Sequence, residues 1–319
     1  MEKFNWCFIG VGGLANTVAK QILSTGRHKI VSCYRRNYEK SKEWAKKYDS
    51  VAYESAEEAI KAPNVDAVYV VTPHSNHAEY AKLALELGKP VLVEKSFTAN
   101  YKDAEEVINL AKEKGLYICE AMWTFFPSPM RTAMEWIKSE KIGKLKKAEA
   151  YFNVYNKFNP RVKNPMTAGG ALLDLGVYPI TYMYRMFGMP KAIKCNGIVK
   201  GGVDHQEQVE MVYDGFSAFA NARINSLLYV NKAVFDGENG KITVDKEAHK
   251  AKRATLNNKD GKTVIKGEGT YINEFDTVAK EIKEGKLESE YIPHKATLDV
   301  MSIMDECRKQ MNLVYPFEK

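Results

Sequence analysis

The sequence predicts an α/β protein in two parts: an N-terminal doubly wound parallel sheet over residues 1–121, and a C-terminal α+β domain with an open, mostly antiparallel sheet over residues 122–319. Three observations carry this expectation. The first 36 residues read as a strand, a glycine turn, a helix and a second strand. Strand-like and helix-like segments then alternate to about residue 121. Beyond that point short strands follow one another, separated by glycine turns.

The first strand is the apolar run Trp6 to Ile9, which leads into GVGGLA, Gly10 to Ala15, and then an apolar-periodic helix through Val18, Ile22 and Leu23. Such a turn binds phosphate. Gly10 permits the tight turn, Gly12 lets the backbone approach a pyrophosphate, Gly13 and Leu14 complete the turn, and Ala15 is small enough for close helix packing. The free N–H groups and positive dipole end of the helix then face the anion. Gly26 closes the helix and Lys29 to Tyr34 forms the second strand. About 20 residues beyond the turn, a carboxylate would hold the ribose hydroxyls of NAD; here Tyr34, Arg35, Arg36 and Asn37 stand instead. A carboxylate repels a 2′-phosphate, whereas a guanidinium grips it with two charge-assisted bonds. NADP is therefore expected over NAD, with Arg36 favoured over Arg35 as its contact.

The alternation continues with strands at Val51 to Tyr53, Ala67 to Thr72, Pro90 to Glu94 and Leu116 to Glu120. Ser55 and Glu58 have the spacing of a capping box, and Ala104, Val107, Ile108 and Ala111 mark the buried face of a helix. In the second part, Pro127 to Ser139 reads as a helix, Lys146 to Asn156 as a long strand and Gly169 to Phe187 as another helix. Residues 192–244 read as strands turning at Gly201-Gly202, Asp214-Gly215 and Glu238-Asn239-Gly240. One face of such a sheet needs a cover, and a second copy of the chain is the expected one, giving a homodimer or homotetramer through the C-terminal sheet.

Composition excludes several classes. With 45% hydrophobic and 27% charged residues, the chain can bury two sizeable cores. Neither a basic-then-apolar leader nor a run of about 18 apolar residues is present, so a cytoplasmic protein with no membrane partner is expected. Cys7, Cys33, Cys119, Cys195 and Cys307 are an odd number at wide spacing, as reduced core residues would be. The net charge is +7. Its charges are mixed along the chain, and the one basic cluster, Lys246 to Arg253, reads as the wet face of a strand pair, so no nucleic-acid partner is expected. No His, Cys or carboxylate spacing fits a metal site.

In a doubly wound sheet, ligands bind outside the carboxyl ends of the strands. VVTPHSNH ends one strand with Thr72, Pro73, His74 and Asn76 as candidate cofactor contacts, while His77 opens the next helix and reads as a capping or packing residue. VLVEKS ends the next strand with Glu94 and Lys95. An ionised lysine just past a buried strand is costly unless it has a partner or a task; a salt bridge to a surface carboxylate is the bland alternative.

GVGGLA, VTPHSNH, VEKS and GGALLDLGVYP, in that order, resemble the glucose-fructose oxidoreductase and inositol dehydrogenase family, Gfo/Idh/MocA, and above all its dimeric dihydrodiol dehydrogenase branch. The resemblance runs from about residue 4 to about residue 240. It implies a Rossmann domain followed by an open-sheet domain, with hydride transfer to or from a nicotinamide. By this resemblance Lys95 matches the lysine of an E-K-P motif, and Asp174 and Tyr178 match the first and last positions of D-x-G-x-[HY]. Trp123 matches an aromatic of the substrate pocket, Arg36 the arginine on the 2′-phosphate, and Arg161 a family arginine before the glycine-rich helix start. Ser96 departs from the usual proline, and Phe125 stands where many relatives carry arginine.

From spacing alone Tyr178 reads either as one more core aromatic beside Tyr182 and Tyr184 or as a functional phenol, and the chemistry of the second reading can be argued without the resemblance. Asp174 and Tyr178 are four apart and so share one face of a helix, which should bend near Tyr178 because Pro179 cannot donate. Oxidation of a secondary alcohol needs a base for the hydroxyl proton. A phenol of pKa about 10 must fall by roughly 2 to 3 units, or about 3 to 4 kcal/mol, to serve near neutrality. One ammonium about 4 Å away at an effective dielectric of about 20 supplies roughly 4 kcal/mol before desolvation. Tyr178 is thus expected to be the acid/base, Lys95 to lower its pKa and bind the substrate hydroxyl, and Asp174 to orient the substrate or Lys95. Trp123, Phe126 and Phe158 predict a partly aromatic pocket that suits a sugar ring face or a cyclic diol. A dinucleotide-binding regulator without turnover, and a glycosidase that uses a bound nicotinamide catalytically, are the alternatives.

Overall fold

A computed structural model describes residues 3–156, 158–245 and 247–318. The chain divides into two compact units, Met1–Trp123 with Thr270–Thr297, and Thr124–Gly269 with Leu298–Lys319. The first unit therefore takes back a segment from the stretch that the sequence assigns as a block to the second. The reason is an aromatic contact. Phe275, on the helix Ile272–Lys283, meets Trp6, Tyr69 and Phe8 at ring separations of 4.8, 5.1 and 6.3 Å, and apolar surface of this size is not left in water.

In the first unit the strands are β1 (Phe4–Ile9), β2 (His28–Tyr34), β3 (Val51–Ala52), β4 (Ala67–Val70), β5 (Val91–Glu94) and β6 (Ile118–Ala121). They form one sheet in the order β3-β2-β1-β4-β5-β6, every neighbouring pair parallel. This is the expected doubly wound sheet, and the strand order reverses between β1 and β4. β4, β5 and β6 are buried along their whole length, as strands covered on both faces must be. The helix Gly13–Ser24 buries Ala15, Val18, Ala19 and Ile22. Ser55 and Glu58 form the reciprocal capping box. The helix Tyr101–Lys114 buries Ala104, Val107, Ile108 and Ala111, starts at the side-chain cap of Asn100 and stops at left-handed Gly115.

The strands of the second unit are β7 (Leu145–Tyr155), β8 (Ala192–Lys200), β9 (Val203–Tyr213), β10 (Phe216–Arg223), β11 (Asn225–Gly237), β12 (Gly240–Asp245), β13 (Arg253–Asn258) and β14 (Gly261–Lys266). Their order is β14-β13-β12-β11-β7-β10-β9-β8; β10 runs parallel to β7 and the other pairs are antiparallel. Ala148, Ala150 and Phe152 alternate inward along β7, where the helix Val177–Phe187 packs. The β11–β7 register slips between Asn225 and Val230, leaving Leu227 86% and Leu228 75% exposed. All five cysteines are buried free thiols, and among the described residues no helix is long and apolar enough to cross a membrane.

Two sequence expectations are corrected. The helix expected over Gly169 to Phe187 is a π-helical turn, Leu172–Gly176, followed by an α-helix, Val177–Phe187. Buried Asp204 accepts from the Leu172 N–H at 2.7 Å, and the Glu207 carboxylate lies against Gly176, where a Cβ would come within 2.3 Å of it. The irregularity thus lies just before Tyr178, within one continuous helical run from residue 171 to 187 in which Pro179 supplies no N–H. Nor is the basic stretch a wet strand face. Lys246 lies outside the described residues; Ala248–Lys250 is a 3-10 turn whose flanking Glu247 and Ala251 are both left-handed, with Ala248 and Ala251 buried.

Candidate active site

The glycine turn between β1 and its helix has room for an anion. Gly10 has φ +103° and a Cβ there would lie 2.7 Å from the Thr72 nitrogen, so the turn abuts the end of β4 and demands glycine. At Gly12 an added Cβ would meet only the Gly10 carbonyl, at 3.8 Å, and at Gly13 nothing within 4 Å. Packing does not require glycine at these two positions, and the space they leave is free for a ligand. The helix that follows has neither a side-chain cap nor an acid in its first turn, so its N–H groups and dipole face that space. Leu14 is partly exposed there, and the Thr72 hydroxyl, enclosed nearby, has no hydrogen-bond partner. At the end of β2, Arg35 Nη1 donates to the Val11 carbonyl at 3.3 Å, whereas Arg36 is exposed. The residues present fit a dinucleotide with an extra phosphate.

At the ends of β4 and β5 the polar residues are held firmly. Pro73 leads into the 3-10 turn His74–Asn76; His74 is buried against the His77 ring at 5.6 Å, and Asn76 donates to Glu79. His77 bridges the carbonyls of Ser96 and Thr72 at 2.9 and 2.8 Å, and burial lowers its pKa to about 4. Neutral at that pKa, the ring carries one N–H and so donates to one of the two carbonyls at a time, a packing role within the turn. Glu94 accepts from Tyr69 Oη at 2.6 Å and from the Lys95 N–H at 3.2 Å. The Lys95–Ser96 peptide is cis although no proline follows.

Sequence reasoning missed what lies behind these residues. Glu120, on β6, accepts from Phe97 N at 3.1 Å and Thr297 Oγ1 at 3.0 Å, and burial pushes its pKa up to about 7, with Glu94 adding to the rise. Glu274 is fully buried, its two oxygens without partners, and burial beside Glu94 and Glu120 raises its pKa well above the usual carboxylate range. Tyr271 stacks on Trp123 at 4.1 Å and 12°, fixing that expected pocket aromatic. Nothing in the sequence signals that the helix beginning near residue 272 returns to the first unit.

In the second unit, Arg161 Nη2 donates to Asp174 Oδ1 at 2.7 Å, so two expected site residues are joined. Asp174 is held in the π-helical turn and Tyr178 at the start of the next helix. The Tyr178 ring is buried and lies 5.5 Å from Phe152, 6.5 Å from Tyr182 and 5.7 Å from His249. Of the other two aromatics, Phe126 is completely enclosed, whereas Phe158 is 69% exposed, with Lys163 over its ring.

Residues 4–121 match the family model described as an oxidoreductase family with an NAD-binding Rossmann fold, and residues 130–243 the model of the GFO/IDH/MocA C-terminal domain. The chain is 31% identical to the scyllo-inositol 2-dehydrogenase (NADP(+)) of Bacillus subtilis, over 98% of this chain and 99% of that one. It is 28% identical to the trans-1,2-dihydrobenzene-1,2-diol dehydrogenase of Mus musculus, over 98% of each. A 3-ketoreductase from Actinomadura kijaniata, solved with NADP and TDP-benzene, superposes with a TM-score of 0.86 at 22% identity, covering 97% of this chain and 98% of that one. The fold and the full-length similarity define an oxidoreductase with a dinucleotide-binding Rossmann unit. The chain belongs to the Gfo/Idh/MocA family.

Proposed function

We infer that this chain is an NADP-dependent dehydrogenase or reductase acting on a carbinol or carbonyl of a sugar, cyclic diol or related small polyol. The observation that carries the reading is the end of β2: Arg35 and Arg36 stand beside an open glycine turn where an NAD-binding site would present a carboxylate. The inositol and dihydrodiol dehydrogenases that resemble the chain along its whole length support the substrate class.

When bound, the nicotinamide supplies the hydride chemistry. The residues of the chain handle the rest. Gly10, Gly12, Gly13 and the helix N-terminus hold the pyrophosphate and Arg36 the 2′-phosphate, while Thr72, Pro73, His74, Asn76 and Glu94 line the remaining cofactor path. Tyr178 gives or takes the proton of the substrate oxygen. A phenol is only weakly acidic, and Lys95 contributes the positive charge that its ionisation requires. Asp174, steadied by Arg161, orients the substrate, and Trp123 offers a ring face. The exposed Leu227, Leu228 and Tyr229 support a homo-oligomer through the C-terminal sheet, to be measured by sedimentation; a cytoplasmic location belongs to the same reading.

The test is a panel of aldoses, inositols, cyclic diols and dicarbonyls with NADP(H) and NAD(H), followed at the nicotinamide absorbance. Turnover of a polyol or diol with NADP preferred is the expected result. A preference for NAD would overturn the cofactor assignment. Binding without turnover would indicate a regulator, and glycoside cleavage with no net cofactor change a glycosidase.

A further inference from the structure

The turn between β12 and β13 is an elaborate mount for one side chain. Glu247 and Ala251 adopt left-handed backbone at φ 69° and 46°, a conformation disfavoured for residues with a Cβ. Glu247 pairs with both Lys250 and Lys252, and Ala248 and Ala251 are buried beneath. The backbone of His249 is pinned at both ends. Its N–H donates to Asn231 Oδ1 at 3.0 Å, and its carbonyl accepts from Thr124 Oγ1 at 2.6 Å. The imidazole that results is half-buried, 4.7 Å from the Phe152 ring at 33°, and edge-on to the Tyr178 ring at 5.7 Å and 73°.

We propose that His249 is a further substrate-binding and specificity-determining residue, a hydrogen-bonding group that recognises a second hydroxyl of the substrate next to the one Tyr178 serves. The proposal rests on the reading of Tyr178 as the acid/base. Asp174 beside Tyr178 is already bonded to Arg161, and of the rings near the phenol the Phe152 face offers nothing that tells a vicinal diol or polyol from a simple alcohol. An imidazole can tell them apart, because either ring nitrogen donates or accepts. A site built to bond a substrate hydroxyl discriminates strongly against the analogue that lacks it.

The experiment takes the best polyol from the panel and its deoxy analogue lacking the hydroxyl beside the reacting carbon, using full-length wild type, His249→Phe, His249→Asn and Tyr178→Phe. Wild type should prefer the polyol. In His249→Phe, kcat/KM for the polyol should fall about 10- to 100-fold while the deoxy analogue changes less than about threefold. His249→Asn, which still forms hydrogen bonds, should recover part of the preference, and the NADP dissociation constant should not move in any variant. An equal loss for both substrates, or a preference undiminished in His249→Phe, would overturn the proposal while leaving the function intact, provided Tyr178→Phe is inactive. A Tyr178→Phe variant with normal turnover, or a wild type that turns over nothing in the panel, would instead remove the reading underneath, and this assignment with it.

Discussion

Arg161 and Asp174 are bound to each other through Nη2 and Oδ1 at 2.7 Å, across a turn that includes left-handed Ala168 and Gly170. The carboxylate side chain is only 8% exposed, and the guanidinium contributes to making its charge tolerable there. Arg161→Ala should lower kcat/KM about 10- to 100-fold, the range of one charge-assisted bond of about 1.5–3 kcal/mol. Asp174→Asn should cost about the same. Because each acts through the other, the double variant should be little worse than the poorer single one; fully additive losses in initial-rate measurements would show that the pair is not a functional unit.

Replacing Tyr178 with Phe removes one oxygen from a ring whose packing against Phe152 is unchanged. Turnover should drop at least about 100-fold, the scale of general acid/base catalysis. NADP affinity, measured by protein fluorescence, should stay within about twofold of wild type, since uniform binding is untouched. Unaltered turnover would end the assignment of the phenol.

The two arginines after β2 should separate in their effects. Arg36→Ala should raise the KM for NADP about tenfold or more and leave the KM for NAD nearly unchanged, as the loss of a phosphate contact would. Arg35→Ala should weaken both cofactors together, because its bond to the Val11 carbonyl braces the glycine turn. A change in NADP preference confined to Arg35→Ala would reverse the two roles.

Stability should depend on pH through Glu120. Its carboxyl titrates near 7 in the folded protein against an ordinary 4.5, so above 4.5 the native state holds a proton that the unfolded chain has released. Stability from this group is full below about 4.5 and falls as pH rises to about 7, by about 3 kcal/mol at about 1.4 kcal/mol per unit. The urea midpoint at pH 8, taken relative to that at pH 5, should therefore be higher in Glu120→Gln than in wild type, whatever His77, which acts in the opposite sense, contributes to both proteins. An identical pH slope in the two proteins would refute this.

The doubly wound unit was legible because each of its devices is local: a glycine turn, a capping box and apolar spacing that matches one helix face. The paired strands after residue 191 announce themselves through glycine turns where β8 meets β9, β9 meets β10 and β11 meets β12, whereas the break between β10 and β11 carries no such signal. What could not be read is what distant contacts decide. The π-helical turn at Leu172–Gly176 owes its shape to Asp204 and Glu207 on β9, more than 25 residues on. His249 looked like one member of a charged run, because the burial of its flanking alanines is a tertiary fact. Tyr271 and Glu274 carry no motif; they matter only because Phe275 finds Trp6 and Tyr69.

That last contact has a consequence for biosynthesis. Domains usually fold in the order in which the ribosome delivers them, but here the nucleotide-binding half, translated first, lacks a wall of its core until residues 270–297 emerge. Until then the rings of Trp6, Phe8 and Tyr69 have no Phe275 to cover them, and the nascent chain must carry that oily patch through most of its own synthesis.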